Sequence, residues 1–198
     1  MFLNFLFHLL FNSLKSIFGE TLAINYVSLI HCLAAICASG LLLLNQASYD
    51  TFAYILQSYY AYDSALCLQR LTFMDSVFIV HHLITIAALD LARGGGELTL
   101  AKIMLLLDIS NIPMYVCKHY IEERKKAEDM ESHAMVKFYG ERLRLWKRIQ
   151  FAVYVPIRCL GMIPFLLPGE TNNAARALGV PIYLMGLVWT RRLYLKLE

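Results

Sequence analysis

Two neighbouring histidines, His81 and His82, sit in the apolar run VHHLITI, and a second apolar run downstream carries Asp108, Ser110, Asn111, Tyr115 and Lys118. These residue types support acid–base chemistry. A neutral imidazole takes a proton from an attacking amine or hydroxyl, and a nearby carboxylate fixes its tautomer. An imidazole also serves as the nucleophile in acyl transfer. At helical spacing His82 shares a face with Asp75, and His81 shares the adjoining face with Thr85. Asp108, Asn111, Tyr115 and Lys118 follow one another at three, four and three residues, which makes one polar stripe with Ser110 off it. Upstream, His31 adjoins a polar side formed by Asn25, Ser28 and Cys32, and Asp63 follows Tyr59, Tyr60 and Tyr62. The competing reading of each group is packing, since a single membrane histidine is commonly a hydrogen-bonded filler and a tyrosine cluster an aromatic core. A histidine pair facing carboxylate-bearing helices favours chemistry.

The elements that must carry these residues are membrane helices. The 198-residue chain is 59% hydrophobic, above the roughly 45–50% of a soluble domain, and its mean hydropathy is +0.53. Several apolar runs approach the roughly 20 residues that cross a bilayer. The expected fold is all-α, a polytopic bundle of about six transmembrane helices around an internal cavity. The spans are read at 22–44, 51–68, 73–91, 98–120, 148–167 and 174–195. Residues 1–20 read as an interfacial segment, because about a dozen apolar residues before Lys15 are too few to span. Residues 21–198 then form a single domain. Gly94, Gly95 and Gly96 end the third span, Pro168 and Gly169 close the fifth, and Pro113 predicts a kink in the fourth.

Charge placement supports this arrangement. Nine of the eighteen Lys and Arg residues lie in the charged stretch 118–148, interleaved with Glu122, Glu123, Glu128, Asp129, Glu131 and Glu141. The mixture argues against nucleic acid and for a solvated cytoplasmic loop, 120–148, beside anionic lipid. With a cytoplasmic N-terminus, fourteen cations fall on one face, and only Arg93 and Arg176 on the other. The N-terminus, loop 120–148 and C-terminus are therefore expected on the cytoplasmic side. Lys102 and Arg158 lie inside spans, where they are expected to pair with Glu97 or Asp90 or to snorkel. The N-terminal run has no basic region before it and no small-residue cleavage site, which argues against a removable signal peptide. The five cysteines read as small buried hydrophobes. The six histidines lack the repeated short spacing of a di-iron site, so no metal is expected.

Three segments carry a family likeness. NYVSLIH holds Asn25, Ser28 and His31; SYYAYDS holds Tyr62 and Asp63; VHHLITI holds His81 and His82. With LDISNIPMYVCK following, the chain resembles the TLC-domain family, the membrane domain shared by ceramide synthases, TRAM translocon proteins and small lipid-homeostasis proteins. Asp108, Ser110 and Lys118 match the ceramide-synthase signature, whereas Leu107, Asn111 and Tyr115 stand where it has His, Asp and Glu. The likeness is therefore closer to the branch that is not ceramide synthase. The resemblance implies helices around a lipid-sized cavity in the endoplasmic reticulum. It also implies membrane lipid and a long-chain acyl substrate as partners, and acyl-CoA as co-substrate rather than a bound cofactor. A homodimer is compatible with it.

On this reading His81, His82 and Asp108 are catalytic, and Asp63, His31, Ser110, Asn111, Tyr115 and Tyr62 bind substrate. The first functional expectation is membrane lipid metabolism or homeostasis, with acyl-CoA-dependent acyl transfer as its sharpest form. A non-catalytic lipid-binding protein and a trafficking factor acting through the charged loop are the alternatives.

Overall fold

The computed structural model describes residues 2–167 and 173–195. The expected helix stop at Pro168 and Gly169 lies outside them, as does Lys196, one of the fourteen cations assigned to the cytoplasmic face. The described chain is helical throughout, with no strand. Helices α1 (Phe2–Phe18), α2 (Glu20–Leu43), α3 (Tyr49–Arg70) and α4 (Phe73–Leu91) are followed by the long α5 (Glu97–Asp129). Then come α6 (His133–Val155), a π-helical turn Pro156–Gly161, the short α7 (Ile163–Leu166) and α8 (Asn173–Tyr194). Four helical segments are long and apolar enough to cross a membrane: α2, α4, α5 and the continuous run His133–Leu166. Helices α3 and α8 are 22 residues each and are not among the four.

Local chemistry sets the boundaries. Gly19 (φ 81) separates α1 from α2, and Gly96 (φ 92) starts α5; both adopt left-handed angles that glycine takes without steric cost. Ser48 caps α3 by accepting from the amide of Thr51 at 3.2 Å. Helix α4 begins with a reciprocal capping box. Thr72 Oγ1 accepts from Asp75 N at 3.2 Å, while Asp75 Oδ2 accepts from Thr72 N at 3.1 Å and from its hydroxyl at 2.6 Å. Arg70, in the last turn of α3, donates to the other Asp75 oxygen at 2.8 Å. Asp75, which helical spacing places on the face of His82, thus serves chiefly to fix the entry of α4.

The core lies where α1, α2, α3 and α5 meet, around Val27, Phe52, Leu56 and, from α4, Leu89, each at most 2% exposed. The segment expected to lie at the interface is docked onto it: Phe7 and Phe11 of α1 are buried in this core. The stretch expected as a charged loop is helical over most of its length. Helix α5 runs 33 residues, about 50 Å at 1.5 Å per residue, well beyond a hydrocarbon core of about 30 Å. It turns at 130–132, where Glu131 takes φ 54, and returns as α6. The charged residues therefore belong to a helical hairpin. Alternating charges at helical spacing made this possible: Arg124 pairs with Glu128 at 2.9 Å, Lys125 with Glu122 at 2.8 Å and Lys126 with Glu123 at 2.7 Å. The cysteines are all free, with Cys37 exposed.

Candidate functional site

Residues of α2, α3, α4, α5, α6 and α8 line a half-open pocket of about 650 Å³. The stripe of α5 forms one wall: Asp108, Asn111, Tyr115 and Lys118 all line it, as their spacing predicts. His81 and His82 of α4, Asp63 with Tyr59 and Tyr60 of α3, and His31 of α2 line it too. Sequence positions far apart are thus brought into one chamber by the packing of four helices.

His82 is held from two sides by adjacent residues of α3. Its Nε2 lies 3.6 Å from Asp63 Oδ2, and its Nδ1 lies 3.3 Å from Ser64 Oγ. A proton on Nε2 would point at the carboxylate and leave Nδ1 to accept from the serine hydroxyl. The His82 ring also packs against Tyr60 (centroids 5.1 Å) and His81 (5.6 Å). His81 is less constrained: its Nδ1 is buried with no hydrogen-bond partner among the described residues. His31 stacks flat on Tyr59, centroids 3.7 Å apart, and both of its nitrogens are buried without partners among the described residues.

The pocket lining also holds a buried guanidinium. Arg158, on the π-helical turn, is 7% exposed and lines the pocket. It donates to Asn111 Oδ1 at 2.8 Å, to Ser110 Oγ at 3.2 Å and to the carbonyl of Leu107 at 3.4 Å, and lies over the Tyr154 ring at 5.0 Å. The expected pairing of Arg158 with Glu97 or Asp90 is therefore replaced by these neutral acceptors. Glu97 instead accepts from the amide of Gly94, and Asp90 from Gln57. Lys102 is exposed. Asp108 is 5% exposed, and its Oδ2 has no partner among the described residues. Three exposed cations, Arg70, Lys118 and Arg192, also line the pocket. His82 lies eight residues beyond Met74, a lining residue in the first turn of α4, about 12 Å along the helix axis.

No protein-family model, curated protein or solved structure matches this chain.

Two expected site residues stand elsewhere. Tyr62 stacks on Phe7 of α1 with centroids 5.8 Å apart, and does not line the pocket. Ser110 is fully buried; its hydroxyl donates to the Leu107 carbonyl at 2.6 Å and accepts from Arg158, so it supports the wall from behind. The sequence reading omitted Ser64 and, from the later helices, Gln150, Tyr154 and Trp189. Arg158 carried a signal, because a single cation within an apolar span is costly unless it faces a polar interior. Among the described residues, no three His, Cys, Asp or Glu side chains converge as a metal ion would need.

Proposed function

We propose that this chain is a TLC-type multi-pass membrane protein of lipid metabolism, and that the pocket transfers an acyl group between a thioester donor and a membrane-lipid acceptor. One observation carries the reading: the paired histidines line a pocket with three aspartates, Asp63 close to His82, Asp75 at the start of α4 and Asp108 on α5. The lining residues also include apolar Ile24, Met74, Met114, Ile182 and Met185, which suit an acyl chain. In this reading α3 and α8 complete six spans, each about 33 Å long by helical rise. The host membrane is the endoplasmic reticulum, with the charged hairpin and both termini on the cytoplasmic side.

His82 has both ring nitrogens turned toward Asp63 and Ser64. His81 is therefore the imidazole that meets the donor. Its nitrogen attacks the thioester carbonyl, the carbon–sulfur bond breaks, and the thiolate leaves. The acceptor hydroxyl then attacks the acyl-imidazole and gives its proton to the free Asp108 oxygen, and the imidazole is released. Asp108 passes that proton to the thiolate, so charge and atoms balance.

Purified protein supplied with a long-chain acyl-CoA and membrane lipids tests this. Acylated lipid should form with the unmodified chain and fall to background in His81→Ala. Equal product from His81→Ala, with the variant folded, would overturn the catalytic reading and leave lipid binding alone.

A further inference from the structure

The wall formed by Asp108 and Arg158 selects for a particular kind of ligand. Each of these two side chains is more than nine-tenths buried, and both line the pocket. Asp108 Oδ2 is buried without a partner among the described residues. The hydrogen bonds of Arg158 given above use Nε and Nη2, which leaves Nη1 for a ligand. The two do not form an ion pair among the described residues. Asn111 stands between them, accepting from Arg158 through Oδ1. The guanidinium is also fixed by the Tyr154 ring and by the π-helical turn, a local distortion often found at functional sites. The result is a hydrogen-bond acceptor and a fixed donor in one low-dielectric wall, with Asn111 between them.

A buried donor or acceptor left unpaired is costly, so a ligand that satisfies both gains most. A carboxylate would suit Arg158 but meet Asp108 with like charge. An ammonium would suit Asp108 but meet Arg158. A neutral group with a hydroxyl beside a carbonyl oxygen satisfies both without repulsion. We propose that this wall recognises a neutral hydroxy-ester lipid, a partial glyceride. Its hydroxyl donates to Asp108 Oδ2 and its ester carbonyl accepts from Arg158 Nη1. The proposal rests on the lipid-handling reading above and names the acceptor for it, because the hydroxyl bound at Asp108 is the one that would be acylated.

Binding can be read apart from chemistry in the full-length His81→Ala chain, through the fluorescence of Trp189, which lines the pocket. The ligands are 1-monooleoylglycerol, methyl oleate, oleate and oleylamine. Monooleoylglycerol should bind roughly tenfold or more tightly than the other three, the difference expected for one hydrogen bond to a charged group. Arg158→Leu and Asp108→Ala should each erase that preference. Methyl oleate, oleate or oleylamine binding as tightly as monooleoylglycerol would overturn the proposal, and this ligand series decides it even where a variant does not fold. If none of the four binds, both this proposal and the lipid-handling reading fail. If the preference is present but acyl transfer is absent from the unmodified chain, only the catalytic reading fails.

Discussion

Asp63 on α3 places a carboxylate oxygen 3.6 Å from Nε2 of His82 on α4. The next residue of α3, Ser64, reaches the other nitrogen of the same ring at 3.3 Å. One turn of one helix thus contacts both nitrogens of His82. The adjacent His81 is left as the imidazole with an unused nitrogen. The pair is therefore asymmetric: His82 lies against Asp63 and Ser64, and His81 keeps a ring nitrogen without a partner among the described residues.

Asp63→Asn keeps the size of the side chain and removes its charge, so His82 loses the partner that holds its proton on Nε2. Acyl transfer should fall by less than the roughly 10²-fold of a lost acid–base group, because His82 acts only by packing against His81, while the thermal unfolding midpoint changes little, because Asp63 makes no other ion pair among the described residues. Nitrogen-15 NMR of labelled histidine checks the cause directly: the His82 tautomer ratio should shift. An unchanged ratio together with an unchanged rate would remove Asp63 from the site.

Thr72 lies outside the pocket lining, yet it anchors the helix that carries the histidines. Thr72→Ala removes the acceptor for Asp75 N and one donor to Asp75 Oδ2. The expected loss is about 1 kcal/mol, as for other N-caps. Hydrogen exchange should quicken at the amides of Asp75 and Ser76, in the first turn of α4, with little change around Leu89 near its far end. Uniform protection along α4 would show that tertiary packing, and not the capping box, fixes its start.

Much of this arrangement was legible in the sequence. The spacing of Asp108, Asn111, Tyr115 and Lys118 placed four residues on one pocket wall, and the third span was read at its observed bounds, 73–91. Both follow from local rules: helical periodicity, and the stop supplied by three glycines. What periodicity could not give was partner choice between helices. Arg158 meets Ser110 and Asn111 only because a π-helical turn follows Pro156 and turns that segment onto α5. Tyr62 turns to Phe7 because α1 docks on the core, which its short apolar length did not foretell. The charged hairpin was read as a loop because its polarity outweighed its helical charge spacing, the feature that its ion pairs use.

Two glycines of α8 make a paired test of how tightly that helix seats. A methyl group at Gly179 would come within 2.7 Å of Phe165 Cδ1 and closer still to Cε1, and Phe165 is only 2% exposed. The ring has nowhere to go, so Gly179→Ala should destabilise by about 1–3 kcal/mol. At Gly186 the same methyl would meet Arg158 side-chain carbons at 3.6 and 3.8 Å, ordinary contact distances. Gly186→Ala should be neutral or gain up to about 1 kcal/mol of helix propensity. Thermal unfolding in detergent separates the two, and similar midpoints for both variants would mean that α8 does not seat against Phe165.

Asn111 stands where the ceramide-synthase signature has aspartate, and its contacts say what the exchange should do. Its Oδ1 accepts from Arg158 Nη2 at 2.8 Å. In Asn111→Asp that bond becomes charge-assisted, roughly twice as strong as a neutral one. The Asn111 side chain also hydrogen-bonds Asp108, three residues away on the same face, so the new carboxylate removes that donor and meets a like charge at close range. The lost bond and the repulsion offset the stronger bond to Arg158, and the unfolding midpoint should fall by about 1 kcal/mol of stability. The same substitution neutralises Arg158, so the preference for a hydroxy-ester over a simple ester should fall by roughly tenfold. A lowered midpoint with the ligand preference intact would show that position 111 acts through its amide N–H toward Asp108, and not through the oxygen it offers Arg158.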